Sequence, residues 1–136
     1  MNELTLDAKV VNLNRVLDFV NGFLDRVGCT PRMKAVIDVA VEELFVNIAS
    51  YAYATKAGSA TIRVETETEP PTVSITFLDC GIPYNPLAKP DPDTTLPAEK
   101  RRIGGLGIYM VKKSMDSMTY ERINGQNVLT IRKCLL

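Results

Sequence analysis

The spacing of apolar residues changes from a helical to a strand period near residue 60, and this change limits the fold more than any other feature of the sequence. From Leu13 to Val27 and from Met33 to Tyr51, apolar residues recur every three or four positions, which predicts two amphipathic helices. Residues 60–67 and 72–79, and the short stretch 3–9, instead alternate apolar and polar side chains, which predicts strands. The first part of the chain is therefore expected to be mainly helical and the next part to be extended.

Turn-forming residues predict where the first helices begin and end. Gly28 is placed to end the first helix, and Thr30 followed by Pro31 matches an N-cap with proline in the first helical position. A long second helix should then run to about Tyr53. Its predicted core stripe comprises Met33, Val36, Ile37, Ala40, Val41, Leu44, Ile48 and Tyr51.

The remainder of the chain contains a long irregular segment. Residues 83–97 carry five of the eight prolines and show no periodicity, which is typical of a functional loop within a compact domain. A helix is expected after the glycines at 104–107 and should run to about Met115. Asn124-Gly125 then predicts a type I′ hairpin between two final strands.

Composition excludes several classes of function. A chain of 136 residues suits one domain, 1–136. Its sixteen basic and sixteen acidic side chains cancel, which argues against direct nucleic-acid or membrane binding. Histidine is absent, so this chain holds no Ser-His-Asp triad and no phosphohistidine. The N-terminus resembles no leader sequence and no apolar stretch is long enough to span a bilayer, so a cytoplasmic location is expected.

An aspartate is predicted to point toward the core side of a strand. Val73, Ile75 and Phe77 share one face of the strand 72–79, and the period of two places Asp79 on that face. A carboxylate in this position needs donors from the protein or from a ligand. The alternative is an aspartate that caps a turn at the strand end.

Two polar residues share one face of the long helix. Glu43 and Asn47 are spaced i and i+4, about 6 Å apart along the axis, beside the apolar stripe. An amide oxygen suits Mg2+, which takes most of its negative charge from substrate phosphates, and Glu43 could accept a proton from an attacking hydroxyl. The alternative is a pair at a solvated helix edge.

A glycine-rich turn opens the third predicted helix. Free backbone N–H groups at Gly104–Gly107 could cradle an anion, and the basic residues around them would attract phosphates. These basic residues are Lys100, Arg101, Arg102, Lys112 and Lys113. No G-x-x-x-x-G-K-[ST] sequence is present, so a P-loop is excluded.

Taken in order, the three motifs resemble the nucleotide site of the gyrase, histidine kinase and MutL (GHKL) superfamily of ATPases. They are E-L-F-V-N at Glu43–Asn47, D-C-G-I-P at Asp79–Pro83 and G-G-L-G at Gly104–Gly107. Among these families the chain looks most like the bacterial anti-sigma-factor serine/threonine protein kinases. The resemblance implies a Bergerat-type ATP-binding fold of the α/β (α+β) class, a two-layer sandwich with a mixed β-sheet covered on one face by three helices.

The resemblance also implies a role for each motif residue. Asn47 would coordinate Mg2+, Asp79 would accept the adenine amino group, Gly81 would give the base room, and Glu43 would be the catalytic base. Residues 84–103 would form the ATP lid. The residues implied to bind ATP are Asn47, Asp79, Gly81, Pro83, Arg102, Gly104, Gly105, Leu106 and Gly107.

The function implied by the resemblance is a kinase that phosphorylates a serine on an anti-sigma-factor antagonist and sequesters a sigma factor, commonly as a homodimer. After Asn47 the chain reads I-A-S-Y-A-Y, whereas members of the kinase family often carry a histidine there. Catalysis is therefore a separate question from ATP binding. The alternatives are a non-catalytic ATP-dependent protein-binding module and a detached histidine kinase catalytic domain.

Overall fold

The computed structural model describes residues 2–53, 56–88 and 105–136, with side chains from residue 107 onward in the last of these segments. The helices are α1 (Leu13–Arg26), α2 (Pro31–Tyr51) and α3 (Gly105–Ser114). The strands are β1 (Glu3–Asp7), β2 (Ser59–Thr68), β3 (Pro71–Asp79), β4 (Ser117–Ile123) and β5 (Gln126–Cys134). Short 3-10 turns cover Val10–Asn12 and Pro86–Ala88.

The described strands form one sheet in the order β1-β2-β3-β5-β4, and each neighbouring pair is antiparallel. The prediction of helices packed on a sheet is confirmed, but the prediction of a mixed sheet is wrong. The two helices between β1 and β2 return the chain to the end of the sheet at which β1 finished. The strands β1 and β2 are therefore antiparallel. The strands β3 and β4, with α3 between them in the chain, do run in the same direction. They are not neighbours, because β5 lies between them.

The core lies between the helices and one face of the sheet. Inward side chains follow the strand period, as in β3, where Val73, Ile75 and Phe77 are all buried. From the helices the buried side chains include Val16, Val20 and Leu24 of α1, Ile37, Val41 and Leu44 of α2, and Ile108 and Val111 of α3. The two-layer arrangement predicted for the fold is therefore confirmed.

The helix signals in the sequence are largely confirmed. The Thr30 hydroxyl accepts a hydrogen bond from the Met33 N–H at 3.2 Å, so it caps α2, and Gly28 follows α1 with a φ of 71°. The predicted stripe of α2 is wrong at Tyr51, whose 58% exposure reflects its place at the mouth of a pocket. It also omits Phe45, which is buried because α2 packs against α1 and α3 as well as the sheet.

The C-terminal end of α2 is fixed tightly to the ends of β2 and β3. The Tyr53 hydroxyl donates to the Ser59 carbonyl at 2.5 Å and accepts from the Cys80 N–H at 2.7 Å, and burial raises the pKa of this hydroxyl. The Ala52 carbonyl accepts from the Ile82 N–H at 2.8 Å. A Cβ on Gly81 would lie 2.2 Å from that carbonyl oxygen, so only glycine fits there.

Two more sequence predictions concern loops. The hairpin is confirmed, because Asn124 and Gly125 between β4 and β5 have φ values of 51° and 78°. Of the predicted lid, residues 84–88 are described, and Pro86 there is buried. Residues 89–103 of the lid lie outside the described residues. Among the helices of the described segments, none combines the length and the apolar character required for a membrane span.

Replacement of Gly81 by alanine tests the contact between α2 and β3. The new Cβ would collide with the backbone of Ala52, which cannot rotate away, so Gly81→Ala should lower the free energy of unfolding by about 2–3 kcal/mol. Gly22→Ala is the matched control, since Gly22 lies within α1 with no atom near its Cβ position. That change should raise the free energy of unfolding by about 0.5–1 kcal/mol. Urea denaturation measures both, and unchanged stability of Gly81→Ala would contradict the contact.

Candidate functional site

A pocket of about 320 Å³ opens between the C-terminal half of α2 and the end of the sheet where β3 terminates. Its walls are mainly apolar, and its polar groups come from α2, β3, β4, β5 and the loop after β3. The apolar lining consists of Leu44, Ile48, Ala52, Phe77, Ile82, Pro86 and Leu129. The remaining lining residues are Asn47, Tyr51, Asp79, Tyr84, Tyr120 and Asn127. An apolar pocket with a few converging polar groups is the usual form of a small-molecule site.

Asp79 lies on the inner wall of this pocket, where the period of β3 was predicted to place it. It is only 5% exposed. Its Oδ1 accepts hydrogen bonds from the Gly81 N–H and from the Asn127 side-chain amide, both at 2.9 Å. Its Oδ2 accepts no hydrogen bond from the described residues, and this oxygen is not fully buried. This oxygen can therefore accept a hydrogen bond from a ligand in the pocket.

Asn127 is a site residue that the sequence analysis missed. It is 6% exposed on β5, directly opposite Asp79 across the strand pair. A signal was present, because Asn127, Leu129 and Ile131 share one face of a strand by the same period that identified Asp79. What the sequence could not supply was the pairing of β3 with β5, which brings the two polar residues together.

Asn47 lies on the pocket wall one turn before Tyr51. The side chain is half-buried and its amide has no hydrogen-bond partner among the described residues. A polar amide left open toward a pocket fits a ligand role, and its oxygen suits Mg2+. No group of three or more acidic, cysteine or histidine side chains within the described segments could hold a metal by itself. Such an ion would need oxygens from a bound phosphate as well.

Glu43 does not line the pocket and is exposed on the outer side of α2. It lies against the first turn of α3, where a Cβ on Gly107 would be 2.1 Å from Glu43 Oε2. The structure therefore brings the first motif and the glycine motif together. Asn47 faces the cavity, while Glu43 one turn earlier faces the outside beside Gly107.

The other predicted site residues occupy different surroundings. Gly81 is buried against Ala52 and Pro83 is exposed, and neither lines the pocket. Gly105 is the first residue of α3, so the helix begins within the glycine motif rather than after it. Arg102, Gly104 and the side chain of Leu106 lie outside the described residues.

The basic residues expected around the glycine turn are only partly placed. Lys112 and Lys113 lie in the last turn of α3, about 10 Å along the axis from Gly105, so they do not flank the turn. Lys113 instead contacts the Tyr109 ring, with its Nζ 5.5 Å from the ring centroid. The other three, at 100–102, lie outside the described residues.

Comparison with known proteins identifies the family. The model for the histidine kinase-like ATPase domain family matches residues 6–133. A search of curated proteins gave no significant match. The structure of the RsbU and RsbW domains of Rv1364c from Mycobacterium tuberculosis is similar to 99% of this chain, with a TM-score of 0.64 and 16% identity. The histidine kinase domain from the Erythrobacter litoralis EL346 blue-light activated histidine kinase is similar to 93% of it, with a TM-score of 0.56 and 14% identity.

These similarities differ in what they establish. The chain covers 33% of the first solved structure and 60% of the second, so each of those proteins contains more than this domain. At such identities the two structures show a shared fold, whereas the family match covers nearly the whole chain. The chain therefore belongs to the histidine kinase-like ATPase domain family and is an ATP-binding module of the GHKL superfamily.

Proposed function

We propose that the chain binds Mg2+-ATP in this pocket and transfers the γ-phosphate to a serine of an anti-sigma-factor antagonist. Without that antagonist it would sequester a sigma factor. The observation that carries the proposal is that the two polar residues of α2 have different surroundings. Asn47 faces the pocket with an amide that has no hydrogen-bond partner in the described segments, and Glu43 lies outside the pocket against Gly107.

The pocket supports binding of the adenine base. Its apolar walls suit the faces of a purine ring, and Asp79 Oδ2 is an open acceptor for the exocyclic amino group. The phosphates would then extend toward Asn47 and the N-terminal turn of α3, where backbone N–H groups favour anions. When bound, Mg2+ would neutralise phosphate charge, with the Asn47 oxygen as one ligand.

The position of Glu43 supports transfer to a protein acceptor. Its side chain is exposed, so a serine on another macromolecule can reach it without entering the pocket. Its carboxylate has no hydrogen bond or ion pair among the described residues, so it is available to accept the proton of that hydroxyl. The spacing of one helical turn keeps it about 6 Å along the axis from Asn47.

Two observations bear on the partner. The motifs resemble those of anti-sigma-factor kinases, and a solved structure of similar fold contains an RsbW domain. The sigma factor, the antagonist and a homodimeric state are part of the proposal on these grounds. A second candidate acceptor is a histidine on another protein, which the likeness to a histidine kinase domain favours. The product discriminates between them, because a serine phosphoester survives acid and a phosphohistidine does not.

Mg2+-ATP should stabilise the folded protein, because a ligand that binds only the native state shifts the unfolding equilibrium. At a nucleotide concentration one hundred times the Kd, the gain is about 2.7 kcal/mol, or roughly 10 °C in Tm. Thermal denaturation with and without Mg2+-ATP measures this. An unchanged Tm and no calorimetric heat at saturating nucleotide would contradict ATP binding.

Substitutions in α2 should separate nucleotide binding from phosphotransfer. Glu43→Gln keeps the shape but removes the proton acceptor, so ATP affinity should change little while transfer falls by about 100-fold or more. Asn47→Ala should abolish Mg2+-ATP binding itself. Titration calorimetry measures affinity, and labelled ATP with the partner measures transfer.

Glu42→Gln is the matched control, because Glu42 is exposed on the same helix and does not lie against Gly107. It should leave both affinity and transfer unchanged. Full transfer by Glu43→Gln would show that Glu43 is not the base. ATP binding by the wild type without transfer to any serine or histidine partner would favour the ATP-dependent binding module instead.

A further inference from the structure

The side chain of Asn127 makes four hydrogen bonds, in addition to the backbone pairing of β3 with β5. Its Nδ2 donates to Asp79 Oδ1 at 2.9 Å and to the Ile82 carbonyl at 2.8 Å. Its Oδ1 accepts from the Tyr84 N–H at 3.3 Å and from the Tyr120 hydroxyl. The reverse orientation of this amide would oppose acceptors to acceptors and donors to donors, so the neighbours fix which end faces Asp79.

Two donors therefore meet at one oxygen of Asp79. The Gly81 N–H also lies 2.9 Å from Oδ1, on the main chain two residues away. Oδ2 receives no hydrogen bond from the described residues and is open to the pocket that Asp79 lines. Residue 79 thus presents a pure acceptor to a ligand, and its orientation is set by groups on β5 and on the turn after β3.

We infer that Asn127 is a positioning residue which, with the Gly81 N–H, orients the side chain at position 79 and so selects a purine with an amino group at C6 over one with a keto group. This inference rests on the proposed function, because it takes the pocket to hold the base of ATP. An amino group would donate to Oδ2. A keto oxygen in the same place would face another acceptor and leave both unpaired, which weakens binding.

The same two donors predict what an amide at position 79 would do. In Asp79→Asn, the amide oxygen must take the place of Oδ1, because both donors point there. The NH2 group then occupies the place of Oδ2 and offers a donor to the pocket. The substitution should therefore invert the preference for the base rather than only weaken it.

Paired measurements with ATP and inosine triphosphate (ITP) test the inference, since the two nucleotides differ at the C6 substituent and the N1 proton that accompanies it. The wild type should bind ATP about tenfold or more tightly than ITP. Asp79→Asn should bind ITP more tightly than ATP. The ratio of the two Kd values on one protein is informative, because a general loss of stability weakens both nucleotides alike.

The role of Asn127 is tested in both backgrounds. Asn127→Leu alone should weaken ATP and keep the preference for ATP, because either carboxylate oxygen is an acceptor. Added to Asp79→Asn, it removes one of the two donors that orient the amide, so the ratio should move back toward ATP by about threefold or more. Thr130→Val is the matched control. It removes a hydrogen bond to Thr76 between the same two strands on the opposite face, and the ratio should not change.

Each outcome decides a different point. Asp79→Asn with the wild-type preference for ATP would overturn the inference, and an inverted preference that Asn127→Leu leaves intact would remove Asn127 from it. A wild type that binds no nucleotide would defeat the proposed function as well.

If the variants fail to fold, the wild type alone still provides a test with purine riboside triphosphate, which lacks any C6 substituent. The predicted order of affinity is ATP, then the purine nucleotide, then ITP, and equal binding of all three would contradict the open acceptor.

Discussion

The pairing of Asp79 with Asn127 is the interaction on which the rest of the site depends. A buried carboxylate is costly unless donors meet it, and the end of β3 meets this one with a side-chain amide from β5 and a main-chain N–H. The pair leaves one carboxylate oxygen open to the pocket. The Asp79 carboxylate, which would destabilise the core if it had no donors, is thus available to contact a ligand. Its orientation is set by β5, the antiparallel neighbour of β3.

The contact between α2 and the turn after β3 sets the shape of the pocket. Gly81 allows the backbone to approach the Ala52 carbonyl, and the Tyr53 hydroxyl bridges the ends of β2 and β3. These contacts hold the last turns of α2 beside Asp79. Because α2 carries both Glu43 and Asn47, the same contacts also place one residue inside the pocket and the other outside it. Fold and site are therefore positioned by a few close main-chain approaches.

Local patterns predicted the elements well, and pairings between distant segments were harder to predict. The Thr30 cap, the Asn124-Gly125 turn and the inward position of Asp79 each follow from a few neighbouring residues. Asn127 required the register of β3 against β5, which no local pattern supplies. The resemblance implied a mixed sheet, but the last hairpin inserts β5 between the parallel strands β3 and β4, so every neighbouring pair is antiparallel. Gly81 was expected to make room for a base, and the structure shows in addition that it allows a close approach to the backbone of Ala52.

Binding of Mg2+-ATP in this pocket is measured most directly by titrating the 15N-labelled protein with the nucleotide and recording two-dimensional NMR spectra. The largest shifts are expected at the Gly81 amide and the Asn127 side-chain amide, whose protons both contact Asp79. Backbone amides of residues whose side chains lie on the outer face of the sheet, such as Thr76, should change little. No shift at saturating nucleotide, or shifts confined to residues remote from the pocket, would contradict the claim that this pocket binds ATP.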